Sequence, residues 1–256
     1  MVRGTKENEQ LKKTQGGFTL VELAVVMIII GLLIGGVLKG QELIANAQVT
    51  ATVSQVRGID AAVTTFRDLY DGLPGDIDGA RIANCTTTDC DAAGADGDGR
   101  IDDAFNSAPA AEGTAFWLQL TAADLITGLN ESAGAVWGGF YPEAEIGGGF
   151  HIGFLDGVSA ALSPSAIGVA LRSGHYLALH NVPDAAVSTA TAGLTPNQAF
   201  RIDRKLDDGS PTTGTVRGMG TGGAGAGNCA TDATVTALYN EAQPAVACGL
   251  YLRIQG

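Results

Sequence analysis

The pattern of apolar and polar residues is most distinctive near the beginning of the chain. Residues 18–38 are apolar throughout except for Thr19 and one carboxylate, Glu22. As a helix, this run of 21 residues would span roughly 30 Å, the thickness of the hydrocarbon core of a bilayer. It is too long for the apolar core of an ordinary secretory signal, and no A-x-A site follows it. The pattern therefore predicts a transmembrane helix over residues 18–38.

The helical pattern continues beyond this apolar run. Apolar residues recur there at spacings of three to five positions: Ile44, Val49, Val53, Val56, Ile59, Val63 and Phe66. Such a stripe, with polar residues between its members, is typical of a helix that covers a core with one face. Pro74 cannot continue a helix. We therefore predict one helix from about Thr19 to Tyr70, with residues 39–72 as the amphipathic half that continues into a globular domain.

Farther along, the pattern changes to short apolar segments. We predict strands at residues 149–155, 166–171, 175–182 and 249–254, a hairpin between the middle pair, and short helices at residues 112–129 and 200–209. Short strands after a helical N-terminal half indicate an antiparallel sheet. The predicted fold class is therefore α+β, with a long N-terminal helix packed on an antiparallel sheet. Residues 73–256 complete the exported α+β domain.

Charge gives the predicted membrane helix a direction. The chain has a formal net charge of −12, whereas residues 1–17 carry four cations and two carboxylates. A basic segment before an apolar span places the N-terminus in the cytoplasm and the remainder outside it. The acidity of that remainder argues against electrostatic binding of nucleic acid by its bulk surface. The four cysteines all follow the span, which fits an oxidising compartment.

The residues at the start of the apolar run carry a more specific signal. Gly17 is followed by Phe18-Thr19-Leu20-Val21-Glu22-Leu23 and then by uninterrupted apolar residues. This segment resembles the processing motif of type IV prepilins and type II secretion pseudopilins. The resemblance implies that a prepilin peptidase removes residues 1–17 as a leader by cutting between Gly17 and Phe18. It also implies that Phe18 is N-methylated and that Glu22 registers subunits in a filament.

The same resemblance implies partners and a location. The precursor would be a single-pass inner-membrane protein with a cytoplasmic N-terminus, and the mature subunit would enter a periplasmic or extracellular filament. Its partners would be the prepilin peptidase and methylase, other pilin or pseudopilin subunits, and an inner-membrane assembly platform. The alternative is a membrane-tethered extracytoplasmic binding protein that keeps its leader. The exported part is larger than that of a typical major pilin, which leaves a minor, initiating or tip subunit open.

The four cysteines allow three disulfide pairings, and sequence alone does not choose between them. We favour the local pairing, Cys85 with Cys90 and Cys229 with Cys248. A zinc site is disfavoured because the chain has no CxxC motif and its histidines lie far from the cysteines in sequence.

The acidic segment at residues 94–103 has features of a calcium loop. Its carboxylates are those of Asp96, Asp98, Asp102 and Asp103. Closely spaced carboxylates supply the hard oxygen ligands that calcium prefers. The EF-hand pattern is incomplete, since Gly94 and Phe105 stand where the first and last ligands belong. An irregular structural calcium loop and a solvated acidic turn both stay open, and some pseudopilins, which the chain resembles, carry a structural calcium.

The remaining motifs do not call for catalysis. Residues 218–223 fit G-x-G-x-x-G, but a dinucleotide site needs a strand before it and a helix after it. More glycine follows, so we interpret the segment as a flexible surface loop. His175 and His180 are predicted to lie on opposite faces of a strand and therefore not to share a metal. The sequence thus predicts a structural subunit that is not an enzyme and requires no cofactor.

Overall fold

The computed structural model of the chain describes residues 17–254 except residues 86, 88, 92–93, 103–104, 106–110, 158–166, 168–170, 184–191 and 223–227. The chain divides into two compact units, Met1–Ile44 and Ala45–Gly256. The elements within the described residues are α1 (Leu20–Tyr70), α2 (Glu112–Ala122), β1 (Gly149–Leu155), β2 (Gly174–His180), α3 (Pro196–Leu206), β3 (Val216–Gly220) and β4 (Cys248–Arg253). Their order follows the predicted α+β arrangement.

The part of α1 that belongs to the first unit exposes its apolar side chains. From Phe18 to Leu38 none of the large hydrophobic side chains is buried. This part of the helix is long enough and apolar enough to cross a membrane, judged by length and composition. Helix α1 begins within one residue of the predicted position and ends at the predicted residue, Tyr70.

In the second unit, α1 is amphipathic as predicted. Its buried residues are Val49, Thr52, Val53, Val56, Ile59, Ala62, Val63 and Phe66. Ile44, which the predicted stripe included, is exposed. The helix ends where Asp71 takes a left-handed conformation with φ of 52° and donates its amide to the carbonyl of Arg67 at 2.9 Å. Pro74 follows, so both local features stop the helix.

The sheet is antiparallel, with the strand order β1-β2-β4-β3. The predicted fold class, a long N-terminal helix with an antiparallel sheet in an α+β domain, is therefore confirmed. Three strands of the sheet, β1, β2 and β4, lie within a few residues of predicted strands. The predicted strand at residues 166–171, and with it the predicted hairpin, falls mostly outside the described residues. Ile167 and Leu171, which are described, are buried but belong to no strand.

Strand β3 lies where the sequence predicts a loop, so that prediction is wrong. Residues 218–220 were interpreted as part of a flexible surface loop, yet all of Val216–Gly220 is buried and paired with β4. A Cβ atom at Gly218 would lie 2.7 Å from the Cβ of Pro211, so glycine is required for this close approach. The G-x-G-x-x-G match therefore starts inside a strand and has no strand–loop–helix context.

Both faces of the sheet are covered. One face contributes Phe150, Ile152, Leu177, Leu179, Leu250 and Leu252 to a core shared with α1 and α2. The other face carries Leu155, Tyr176, Ala178, Met219 and Tyr251 under Phe105 and Leu171. Because side chains alternate along each strand, these two sets of residues point to opposite faces of the sheet. Consequently a one-residue slip in register would exchange the two cores.

The two shorter helices differ from their predicted bounds. Helix α2 ends at Ala122 rather than near residue 129, and Asp124 follows it with a φ of 56°. Helix α3 starts four residues before the predicted position, because Thr195 forms a capping box with Gln198 and Pro196 occupies the first turn. Both boundaries depend on local hydrogen bonds that an apolar pattern does not report.

Two disulfides fix loops of the second unit. Cys85 is bonded to Cys90, and Cys229 is bonded to Cys248. This is the local pairing that the sequence analysis favoured. Cys248 is the first residue of the central strand β4, so the second bond joins the sheet directly to the loop before it.

Candidate processing and assembly site

Residues 17–19, which directly precede α1, are irregular and exposed. Gly17 and Phe18 precede the helix, and 84% of the Phe18 side chain is accessible. A Cβ atom at Gly17 would meet nothing within 4 Å. Exposed, irregular backbone near a terminus is where proteases act most readily. The bond between Gly17 and Phe18 is therefore open to an enzyme that recognises the residues around it.

Thr19 and Glu22 form a capping box at the start of α1. The Glu22 amide donates to Thr19 Oγ1 at 3.2 Å, and the Thr19 amide donates to Glu22 Oε2 at 2.9 Å. The Thr19 hydroxyl donates to the same Oε2 at 2.9 Å. These reciprocal bonds satisfy two backbone amides that a helix start leaves without partners. The resemblance implied only a subunit contact for Glu22, although the T-x-x-E spacing is also typical of a capping box.

This arrangement uses only one oxygen of Glu22. Among the described residues, Oε2 accepts both bonds from Thr19 and Oε1 accepts none. The carboxylate also lies in the first turn, where the helix dipole favours a negative charge. Glu22 therefore has a local role in starting the helix and keeps a second oxygen for another donor.

Apolar side chains surround this carboxylate. Phe18, Val21, Leu23, Val25 and Val26 line a shallow groove of about 540 Å³ together with Glu22. Farther along, Cβ atoms at Gly31 and Gly35 would meet nothing within 4 Å among the described residues. Small residues four positions apart allow close helix–helix approach in membranes. The exposed half of α1 thus offers a surface suited to lipid or to other apolar helices.

The acidic loop brings together a different set of carboxylates from the predicted one. Oxygens of Asp76, Asp96 and Asp98 lie within 4.8 Å of one another. Asp102 is outside this group, and its amide instead donates to Glu112 at 2.6 Å. Asp103 lies outside the described residues. Asp76 thus lies beside two of the predicted ligands, Asp96 and Asp98, although it is distant from them in sequence.

Asp76 organises that loop from within. Its side chain is buried and accepts amides from Gly97 at 2.9 Å and Gly99 at 2.7 Å. Burial raises the pKa of the Asp76 carboxyl, while these two bonds oppose the rise. These two hydrogen bonds fasten the loop to Asp76, and calcium binding stays a prediction.

Two buried histidines meet on one face of the sheet. His180 Nε2 lies 3.0 Å from His151 Nδ1, and Trp137 packs against both rings. Burial lowers the pKa of His151 to about 4 and that of His180 to about 3. His175 lies on the opposite face beside Phe154, as the strand period implies. No histidine belongs to either of the metal-sized donor groups found in the described part of the chain.

A second acidic group lies at the end of α3. Asp203 is buried and accepts hydrogen bonds from the Tyr239 hydroxyl at 2.9 Å and the Gly209 amide at 3.1 Å. Burial raises the pKa of Asp203 to about 7, and the nearby charges of Asp207 and Asp208 act in the same direction. The Asp208 carboxylate accepts the Ser210 amide at 2.9 Å, and the Asp207 carboxylate accepts the amide of Val216, the first residue of β3, at 3.3 Å. This group fastens α3 to the turn that follows it.

Comparison with protein families gives a match at the N-terminal site. Residues 12–38 match a family model described as the prokaryotic N-terminal methylation motif, which is the type IV prepilin signature. The match contains the predicted cleavage position, Glu22 and the whole apolar run. Comparisons with curated proteins and with solved structures gave no match. The motif points to a structural subunit rather than to an enzyme.

Proposed function

We propose that this chain, which carries the type IV prepilin signature at residues 12–38, is the precursor of a pilin-like filament subunit. One observation carries the proposal. An exposed apolar helix half begins with a capped carboxylate, Glu22, five positions after an accessible Gly17–Phe18 bond. A plain membrane anchor needs the apolar residues and a capped helix start, but it needs neither a glycine before Phe18 nor a carboxylate with a second oxygen available to another donor. The carboxylate and the glycine before Phe18 have a use in processing and assembly.

Processing is the first step of the proposed function. Prepilin peptidase hydrolyses the amide bond between Gly17 and Phe18, which removes residues 1–17 and leaves a free amine on Phe18. The cut falls before the capping box, so Thr19 and Glu22 keep the hydrogen bonds that start α1. Methylation of the new amine then adds one methyl group to a nitrogen that keeps its positive charge. The helix start is therefore ready before cleavage.

Assembly is the second step. The apolar half of α1 waits in the membrane and then exchanges lipid contacts for contacts with the same half of other subunits. In that dry surrounding, Glu22 Oε1, which accepts no hydrogen bond from the described residues of its own chain, accepts one from the amine of Phe18 of a neighbouring subunit. An ion pair between chains favours one axial offset over others, because an unpaired buried charge is costly. This gives Glu22 its registering role.

Intact mass spectrometry tests this proposal. The protein is recovered from membranes and from sheared surface material of cells that make it, with Gly17→Val as an unprocessed control. We expect a mass that lacks residues 1–17 and carries one extra methyl group, present in the sheared fraction. A full-length mass found in membranes alone would contradict the proposal and favour the tethered binding protein.

A further inference from the structure

We infer that a cationic patch on the second unit binds the phosphate headgroups of anionic phospholipids. The patch consists of Arg201, Arg204 and Lys205 on α3 with Arg57 of α1 beside them. It goes beyond filament assembly, because it gives the globular domain its own contact with the membrane surface. It rests on the membrane-anchored precursor of the proposed function.

The patch stands out against the charge of the chain. The whole chain has a formal charge of −12, and residues 1–17 hold four of its 15 lysines and arginines. This patch holds four of the remaining 11. Three of them fall within five consecutive residues of one helix. A local excess of cations in an acidic protein creates a site for an anionic partner.

Neutral groups hold these cations in place. Arg201 Nη1 donates to Asn46 Oδ1 at 2.9 Å, and Lys205 Nζ donates to Thr50 Oγ1 at 2.8 Å. Within the described residues, no carboxylate forms an ion pair with Arg201, Arg204 or Lys205. Their charges are therefore positioned without being neutralised. Because these side chains are already held in place, they lose less conformational entropy when an anion binds.

The surface around the cations suits a headgroup. An open groove of about 480 Å³ is lined by Asn197, Phe200, Glu241 and the three α3 cations, along with Asn46 and Val49. Glu241 accepts a bond from Asn197 at 3.3 Å rather than from a cation. The Arg204 guanidinium lies 5.9 Å from the centre of the Phe200 ring. Guanidinium groups bind phosphate oxygens with paired hydrogen bonds, and amides can add donors to them.

Only a short stretch of chain separates this patch from the end of the apolar run. Asn46, which holds Arg201, follows Leu38 at the end of the apolar run by only eight residues. Eight residues reach no farther than about 29 Å even when fully extended. Basic clusters close to a membrane span are attracted to anionic lipid, by roughly fivefold in binding for each cation. An anionic headgroup is therefore the partner that the position and the charge both favour.

Hydrogen exchange of the full chain in lipid nanodiscs tests the inference. Discs that hold one chain each are prepared from phosphatidylcholine alone and from phosphatidylcholine with phosphatidylglycerol. We expect the amides of residues 197–206 to exchange at least about threefold more slowly in the anionic discs. This protection should fall in high salt, which screens exposed charges. The Arg204→Gln/Lys205→Gln variant should lose it, and neither change removes the bond between Arg201 and Asn46.

Control measurements separate the outcomes. Arg67→Gln/Arg172→Gln removes two exposed cations elsewhere and should keep the protection. Equal exchange of residues 197–206 in both kinds of disc would overturn the inference, while protection of residues 20–38 would leave the anchored precursor intact. Exchange of residues 20–38 as fast as in unfolded chain would overturn both. Protection that arises only with two chains per disc would assign the patch to an acidic surface of a second copy and overturn the lipid partner.

Discussion

Thr19 shows how much one hydroxyl contributes at the start of α1. Its oxygen accepts the Glu22 amide, which would otherwise have no partner in the first turn. We expect Thr19→Val to speed hydrogen exchange of the Glu22 amide by roughly fivefold, the usual effect of a lost N-cap. Exchange measured by NMR on the chain in detergent micelles checks this. Thr19→Ser keeps the hydroxyl and should behave as the wild type, and unchanged exchange in the valine variant would argue against the cap.

Glu22 caps α1, and we propose that it also registers subunits in the filament. We expect Glu22→Ala to be inserted and cleaved normally, because the peptidase acts five residues before it. Its recovery in sheared filaments should fall by at least about tenfold, since a buried partner amine would lose its counter-charge. Quantitative immunoblots of the membrane and sheared fractions measure both effects. Filament recovery equal to that of the wild type would remove the registering role.

The N-terminal methylation motif could be predicted because it consists of residues that are neighbours in sequence. Gly17, Phe18 and Glu22 lie within six positions of one another. The contact between His151 and His180 could not be predicted in the same way. It depends on the register between β1 and β2, and no local pattern states that register.

At the scale of elements, α3 carries a pH dependence through Asp203. Its pKa is about 7 in the folded chain and 3.8 as the ordinary value, so the folded state binds this proton more tightly. The stability that Asp203 contributes is fully present below pH 3.8 and is lost as pH rises toward 7. We expect Asp203→Asn to flatten this loss, by up to about 1.4 kcal/mol per pH unit between pH 4.5 and 6.5.

Urea unfolding at several pH values measures this difference. Asn can keep both contacts of Asp203, since its oxygen accepts the Gly209 amide and its NH₂ group donates to the Tyr239 hydroxyl. Asp68→Asn removes an exposed carboxylate and serves as the control. The buried histidines have lowered pKa values and act with the opposite sign, but they do so equally in each variant. A parallel pH profile for wild type and Asp203→Asn would contradict the prediction.

The loop after α1 is where calcium would act. If calcium bridges Asp76, Asp96 and Asp98, saturating calcium should raise the unfolding temperature by about 5 °C or more, and a chelator should reverse the rise. Differential scanning fluorimetry with and without calcium tests this. Asp98→Asn should abolish the effect, whereas Asp102→Asn should keep it, because Asp102 lies outside the group. A melt that calcium leaves unchanged would remove the metal prediction.

Elements with strong apolar periodicity were predictable, and those set by pairing were not. Helix α1 has a long stripe and a proline after it, and its predicted bounds agree with the structure. Strand β3 contains two glycines in five residues, which weakens any strand signal. It exists because β4 supplies a partner along its whole length. Tertiary pairing thus overrode local preference in β3.

At the scale of the whole molecule, the two disulfides should differ in strength. The bond from Cys229 to Cys248 spans 19 positions, and the bond from Cys85 to Cys90 spans five. Loop-closure entropy predicts a loss of about 3 kcal/mol for Cys229→Ala/Cys248→Ala and about 2 kcal/mol for Cys85→Ala/Cys90→Ala. Denaturant unfolding of both double variants measures these values. A greater loss for the shorter loop would show that packing rather than chain entropy decides the effect.

The capping box bears on the order in which the chain is inserted, cleaved and assembled under the proposed function. Before cleavage, the nitrogen of Phe18 is a neutral amide. The proposed cleavage would turn it into an ammonium one residue before the N-cap, close to the positive end of the helix dipole. It would therefore create an electrostatic repulsion that the precursor does not have, and the Glu22 carboxylate already lies in the first turn, where it can balance the new charge. Under the proposed function, the precursor can be inserted into the membrane before its carboxylate is needed, and hydrolysis of the peptide bond is the step after which the helix end requires a charged partner.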